Sequence, residues 1–519
     1  MNTAERIIEY QNGVEVPAAA VTGSGALQEA IRHVVLGDRP AFDKRRMIRD
    51  LVKKEMLDAR RGCLCQSTDG RGFYFHKGER RLFDMEQKPF QHLLSSLCGL
   101  SATEPQFRFV LDSFQTDAAR TKPVEVHTLA HYNLQTGLLV VSDGAGGVWR
   151  RERRGKWESG YNGDDKILFL TDSDAAAWEP QFKRDGALAW LLNQLLLDDD
   201  SSLTCDEQKT LMVVWLLHNF FPALRRTRVV PAFLGPMGSG KTSAMRMVGT
   251  LFCGPEFDVT GLSRDREDAF VAAVCSRVVV GLDNADSRIP WLEDSLATYA
   301  TGLRYRLRRL YTTNEEVSFS PRAILMLSSR DPHFRRPDVA ERLLPLHFKR
   351  PDSYQAESVL FGGLVERRGQ IMGELLSRAG GVADSLADLR LPALQFRMAD
   401  FASFGWAVAK AAGEESEWLD LLKKLERGQV EFAGEGDSLV IVLRSLMESE
   451  GVIGPSDVGS LFKKCAVLAE SEALPFPKSA QGFGRHMTNM KRVIEIELGA
   501  TVAEGRGHAN RRIITVSKR

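Results

Sequence analysis

Cysteine is scarce in this chain. The seven cysteines (Cys63, Cys65, Cys98, Cys205, Cys253, Cys275, Cys465) are scattered over 519 residues, and the one close pair is C-x-C rather than the spacing of a zinc site. This predicts a reduced protein with neither a disulfide framework nor a structural metal. Long apolar runs are missing too: the most apolar one, Leu211 to Leu217, is far shorter than the roughly 20 residues of a membrane span. The opening residues MNTAERIIEYQNGVEV contain no apolar stretch of the secretory kind. Together these absences predict a soluble, cytoplasmic protein with no membrane contact. Charge of one sign is not in excess either, since the formal net charge is +1, so any contact with nucleic acid must come from local basic patches. No internal repeat or low-complexity tract supports a solenoid or fibrous reading.

What is present is ordinary for a globular protein: 43% hydrophobic and 26% charged residues. The length suggests three or four domains at roughly 150 residues each. Residues 1–200 mix helical patterns with short strands, such as Arg71 to Phe75 and Leu138 to Asp143, and read as a separate α+β region. A helical stretch from about Ala187 to Leu197 closes that region, and LDDDSS at Leu197 to Ser202 reads as an exposed break with a helix cap. Over 203–350 the apolar strands VVPAFL, RVVVGLD and RAILMLSS alternate with helical patterns, which indicates a parallel α/β sheet. Residues 351–430 read as a helical lid. Residues 431–519 carry three helical stretches and a terminal hairpin pattern, the order of a winged helix.

The most informative segment is Gly235, Pro236, Met237, Gly238, Ser239, Gly240, Lys241, Thr242, which satisfies GxxxxGK[ST] between an apolar strand and a helical stretch. Glycines let successive backbone N–H groups turn toward phosphate oxygens, and the following helix presents its positive end to them. Ser243 extends the same binding segment. Lys241 is expected to reach the β- and γ-phosphates of ATP, and Thr242 to ligate Mg²⁺. A second apolar strand ends at Asp283, the expected partner of Mg²⁺, so Thr242 and Asp283 form the predicted metal pair. Asn284 follows where an acidic water-orienting residue is common. Either Asn284 orients water by hydrogen bonding or Asp286 serves as the acid/base group, and Asp286 reads equally well as the N-cap of the helix IPWLEDSLA. The third strand ends in Ser328 and Ser329, of which Ser329 is the favoured polar sensor. Beyond it Arg335, Arg336 and Arg342 are candidates for an arginine finger.

The motifs GPMGSGKT, LDNAD and RYRLRRLYTTNEEVSFSPRAILMLSSRDPHFRRPDVAERLL, in this order, resemble the AAA+ ATPases of phages and integrated mobile elements. These are related to superfamily 3 replicative helicases and to the helicase half of viral primase-helicases. The resemblance is strongest from Val229 to Phe348. It implies an ATP-hydrolysing DNA helicase or translocase acting in replication, with Lys241, Thr242 and Asp283 as the ATP and Mg²⁺ residues and Arg342 as a trans-acting finger; Asn284, which departs from the family's pattern, and Ser329 join the expected catalytic set from the reading of the residues themselves. It also implies a ring homo-hexamer, single-stranded or forked DNA as partner, and contact with a replication protein. The segment LYTTNEEVSFSPR resembles a hairpin projecting into the ring channel, with its turn around Thr313 and Asn314 facing DNA.

The residues themselves add partial support. Arg306 and Arg308 interleave with tyrosines before that hairpin, a combination suited to phosphate contact and base stacking, although Glu315 and Glu316 at the tip count against it. From Lys478 to Arg519 nine Lys or Arg stand against three Glu, a net of +6. Arg485, Lys491 and Arg492 on a helix, with Arg511 and Arg512 on the wing, are therefore candidate DNA contacts. The basic run Arg150 to Trp157 reads as a solvated hairpin, and no acidic triad for primer synthesis is evident in the first 200 residues. A different class of function fits the same motifs: an AAA+ regulator, loader or phage-defence ATPase that uses ATP as a switch, for which Asn284 and slow hydrolysis are suited.

Overall fold

The computed structural model describes residues 24–58, 61–172, 175–182, 186–199, 202–285, 289–308, 316–329, 336–386, 396–434, 437–507 and 511–518, with backbone only for 306–308, 316–319 and 431–432. The chain divides into two compact units. One comprises Met1–Ala130, Val140–Arg150 and Trp157–Ala177; the other comprises His131–Leu139, Arg151–Lys156 and Trp178–Arg519. The first unit has mixed α and β character. Helices Ser24–Leu36, Ala41–Met56, Lys88–Cys98 and Pro105–Ala118 accompany a sheet in the order Arg81–Asp84, Gly72–His76, Gly62–Ser67, Pro123–Val124. Their apolar faces meet in a core that includes Ile48, Val52, Tyr74, Phe90, Phe107 and Phe114. Within this unit Arg150 pairs with Asp165 at 3.1 Å, so part of the basic run has a structural partner.

The second unit is built on a five-stranded parallel sheet. Its strands are β1 (Val230–Leu234), β2 (Thr260–Gly261), β3 (Val279–Asp283), β4 (Ile324–Ser329) and β5 (Leu343–His347), in the spatial order β2-β3-β4-β1-β5. All four neighbouring pairs are parallel. Every residue of β1 and β4 is buried, as expected of strands covered on both faces, and this is why they read as continuous apolar runs. Helices α1 (Cys205–His218), α2 (Lys241–Cys253), α3 (Glu267–Ser276) and α4 (Leu292–Ala300) supply that cover. Thr204 starts α1 through a capping box: its backbone N donates to Glu207 Oε2 at 2.9 Å, and Glu207 N donates to its hydroxyl at 3.3 Å. The cap thus falls two residues after the LDDDSS run. The N-cap of α4 is Trp291, not Asp286, which lies outside the described residues.

A helical layer follows, formed by α5 (Glu357–Leu386), α6 (Ala399–Ala412) and α7 (Glu415–Gly434). The sequence pattern alone ended this region at residue 430, but α7 continues because Val430 and Ala433 remain buried in the shared core. Residues 178–199 also join this unit rather than the N-terminal region. Gln181 N donates to Gly369 O at 2.8 Å, and Glu374 Oε1 accepts from Ala187 N at 2.6 Å at the start of the short helix Ala187–Asn193.

The C-terminal segment contains α8 (Ser438–Glu450), β6 (Val452–Asp457), α9 (Val458–Ser471), α10 (Ala480–Glu497), β7 (Ala500–Arg506) and β8 (Arg512–Lys518). Its three strands form an antiparallel sheet in the order β6-β8-β7. The strand β6, between the first two helices, is an element the sequence reading did not separate. Among the described residues no helix is long and apolar enough to cross a membrane. None of the seven cysteines forms a disulfide, and no cluster of metal-ligating side chains is found among the described residues.

Candidate functional site

Parallel strands bring all their carboxyl ends to one edge, and an open sheet binds ligands outside that edge where the strand order reverses. Here β1 lies between β4 and β5, so the loop leaving β1 occupies such a point. The loop is glycine-rich for a stereochemical reason. Gly235, Gly238 and Gly240 have φ of 145°, 81° and 80°, a region that L side chains rarely adopt. Lys241 opens α2 and is only 8% exposed. Its Nζ donates to Gly235 O at 2.7 Å, Pro236 O at 2.8 Å and Ser239 Oγ at 3.3 Å, so the ammonium group lies inside the curve of the loop.

Thr242 is one residue further on. Its Oγ1 donates to Asp283 at the end of β3, 3.1 Å from Oδ1 and 3.3 Å from Oδ2. Ser328 Oγ donates to the same Oδ1 at 2.6 Å. Asn284 N is 3.1 Å from both Asp283 Oδ1 and Ser328 Oγ, and its φ of 54° turns the chain sharply at this point. Ala285 N then donates to Ser328 O at 2.7 Å. A glycine loop, a lysine, a hydroxyl and a carboxylate thus converge at one edge of the sheet. Residues 195–417 match the family model described as actinomycete integrative conjugative element replication protein.

The matched stretch contains the loop, Thr242, Asp283, Ser328 and the helices α5 and α6. Among solved structures, the apo A-form C-terminal region of NrS-1 is 11% identical with a TM-score of 0.33, over 88% of this chain and 96% of that one. SCCmec type IV Cch, described as an active helicase, is 10% identical with a TM-score of 0.44, over 88% of this chain and 93% of that one. No curated protein matches the chain.

Ser328, rather than Ser329, contacts Asp283. The register pairs Leu282 with Leu327, so the next residues, Asp283 and Ser328, stand side by side, and side-chain alternation sends Ser329 to the other face. Ser329 is 3% exposed and pairs in register with Leu234 of β1. Only the register distinguishes the two serines.

The segment between β5 and α5 contributes residues that the motif search did not find. Arg350 Nε donates to Met237 O at 2.8 Å, and Ser243 Oγ donates to Glu357 Oε1 at 3.1 Å. Arg246 bridges Asp258 at 2.8 Å and Glu357 at 3.7 Å. Its hydrogen bond holds the Asp258 carboxyl below the usual carboxylate range. No local sequence signal marks Arg350 or Glu357, because each lies 113 or more positions from the residue it meets, Met237 in the loop and Ser243 in α2.

The remaining predicted residues are dispersed. Arg342 has a side chain 13% exposed and donates to Asp338 at 3.2 Å. Arg336 pairs with Asp338 at 3.0 Å and with Asp294; Arg335 lies outside the described residues. Arg306 and Arg308 lie on the strand Tyr305–Arg308, which pairs antiparallel with Glu316–Phe319. Thr313 and Asn314 lie outside the described residues.

In the C-terminal segment Arg485 on α10 and Arg511 are exposed and Lys491 is half-buried. Arg492 pairs with Glu426 and, at 3.6 Å, with Glu341. Arg512 pairs with Glu504 at 2.7 Å and donates to Thr488 Oγ1 at 2.7 Å. Two of the five predicted contacts there thus have partners within the protein.

Proposed function

We propose that the chain is an ATP-hydrolysing DNA helicase or translocase that acts in replication of a mobile element or phage and works as a ring oligomer. The observation that carries this reading is the convergence of the glycine loop, Lys241, Thr242, Asp283 and Ser328 at the switch point of a parallel sheet. The matched replication-protein family supports the replication role. The hairpin Tyr305–Phe319 and the C-terminal helices with their antiparallel sheet support DNA contact, the latter as a winged helix.

The loop N–H groups and the positive end of α2 would bind the triphosphate. Lys241 would exchange its bonds to Gly235 O and Pro236 O for phosphate oxygens. A hydroxyl from Thr242 and a carboxylate from Asp283 form a hard oxygen donor set that fits Mg²⁺. When bound, that ion would neutralise charge on the β- and γ-phosphates. Ser328 and Asn284 N hold Asp283 Oδ1 in one orientation, leaving the exposed Asn284 side chain to orient water by hydrogen bonding. Arg342 would serve a neighbouring subunit by exchanging Asp338 for that subunit's nucleotide.

Ser328→Ala should lower turnover about 10- to 100-fold, the usual cost of removing a group that orients a metal ligand. An unchanged kcat would remove Ser328 from the site. The overall reading is tested by steady-state ATP hydrolysis with and without single-stranded DNA over a range of salt. Severalfold stimulation by DNA that fades with salt is expected. Slow, DNA-indifferent hydrolysis without DNA retention at low salt would instead establish the second reading, an ATP-switched regulator or loader, which is favoured by the amide of Asn284 where an acid would speed water attack.

A further inference from the structure

The sheet has a second edge, and arginines gather there with no carboxylate partner among the described residues. Because β1 and β4 are parallel neighbours, the segment entering β1 and the hairpin that precedes β4 share the edge opposite the glycine loop. Arg228 N donates to Ala300 O at 2.8 Å. A Cβ on Gly302 would approach Arg226 O to 2.6 Å. Residues 225–228 are therefore pressed against the turn from which the Tyr305–Phe319 hairpin rises.

This segment carries Arg225, Arg226 and Arg228, and Arg304 stands just beyond the turn. None of the four forms an ion pair among the described residues. Arg225 gives one amino group to Asn219 Oδ1, but its Nε is buried without a hydrogen-bond partner. Arg228 lies over the Tyr299 ring at 5.4 Å, with both Nε and Nη1 buried and unpartnered. Burial lowers Arg225 to about 10, and the neighbouring Arg228 adds to the effect. Asp400 spends Oδ2 on Thr227 N and Oγ1 at 2.7 and 2.9 Å. Arg226 and Arg304 are exposed.

Buried donors without acceptors are rare in folded proteins. A guanidinium fork matches the paired oxygens of a phosphate. Four cations spread over two adjoining segments suit a chain of phosphates better than one small anion. We propose that Arg225, Arg226, Arg228 and Arg304 form a contact for the phosphodiester backbone of single-stranded DNA at the foot of the hairpin. This inference rests on the DNA-translocase reading and adds a site to it on the edge of the sheet away from the nucleotide.

The test is fluorescence anisotropy with a single-stranded DNA oligomer at several salt concentrations, alongside DNA-free ATP turnover, thermal melting and size-exclusion chromatography. Arg225→Gln with Arg228→Gln should weaken binding at least tenfold. It should also reduce the salt slope by about 1.4, the value for two lost contacts to a single strand, with DNA-free turnover unchanged. Should that pair melt early, the exposed pair Arg226→Ala and Arg304→Ala reads the same quantities without touching the buried groups. Unchanged affinity and slope in folded variants would overturn the site while leaving the translocase reading intact. Wild-type protein that fails to bind the oligomer would overturn both. Unchanged DNA binding with loss of the oligomer would overturn the DNA assignment and give the arginines to a subunit contact.

Discussion

Lys241→Ala is expected to lower ATP turnover by a factor of about 10² to 10³, the cost of removing one charge-stabilising donor from a preorganised site, while the protein stays folded. The side chain is largely buried, yet its three acceptors are loop atoms at the end of the sheet rather than core groups. Each lost hydrogen bond is worth about 1 kcal/mol net, and loop carbonyls can turn to water. The melting temperature should therefore fall by a few degrees at most. DNA affinity measured without nucleotide should not change, since the candidate DNA residues Arg485, Lys491, Arg492, Arg511 and Arg512 belong to the C-terminal segment and not to this loop. Turnover retained in the variant would refute the nucleotide site, whereas a collapsed melting transition would reassign Lys241 to structure.

Gly235→Ala should be more damaging, and for a reason that a motif does not contain. At φ 145° an added Cβ would overlap Phe348 O and lie 3.1 Å from its carbonyl carbon. That carbonyl has little room to yield. Phe348 N donates to Leu234 O at 2.7 Å, and Lys349 N to Leu196 O at 2.9 Å. Backbone strain and overpacking each cost about 1–3 kcal/mol, so a loss of about 2–6 kcal/mol is expected. Nucleotide binding should be lost even though Lys241 and Thr242 remain, because the loop must move to admit the methyl group. Gly261→Ala is the control, since a Cβ there meets nothing within 4 Å. Equal melting temperatures and equal nucleotide affinity for the two variants would show that the approach of Phe348 does not constrain the loop.

Much of the geometry of the candidate site was legible in the sequence because its signals are local. The segment GPMGSGKT lies between an apolar strand and a helix, and each of these announces itself within a few residues through burial pattern and glycine spacing. Asp283 was legible because it ends an apolar run. The end of α7 and the placement of residues 178–199 were less legible. Their partners, the shared core and Glu374, are distant in sequence.

The charge pattern illustrates the same limit. The net +6 of the last 42 residues is a property of composition, but Arg492 spends its charge on Glu341 and Glu426, which belong to other elements. Conversely, Arg225 and Arg228 attract no notice in a sequence with 69 basic residues. They become distinctive only because folding buries Nε of Arg225 and Nε and Nη1 of Arg228 without acceptors.

By itself the sequence determined which segments would be buried strands or covering helices, and it picked out Lys241, Thr242 and Asp283, because periodicity and backbone freedom are set by near neighbours. Tertiary structure alone decided that Ser328 rather than Ser329 meets Asp283, that Arg350 reaches the glycine loop and Glu357 the helix that follows it, and that Gly235 admits no side chain. Each of these depends on strand register or on contacts across more than 40 residues, where relative position is fixed by packing of the whole sheet and not by any local preference.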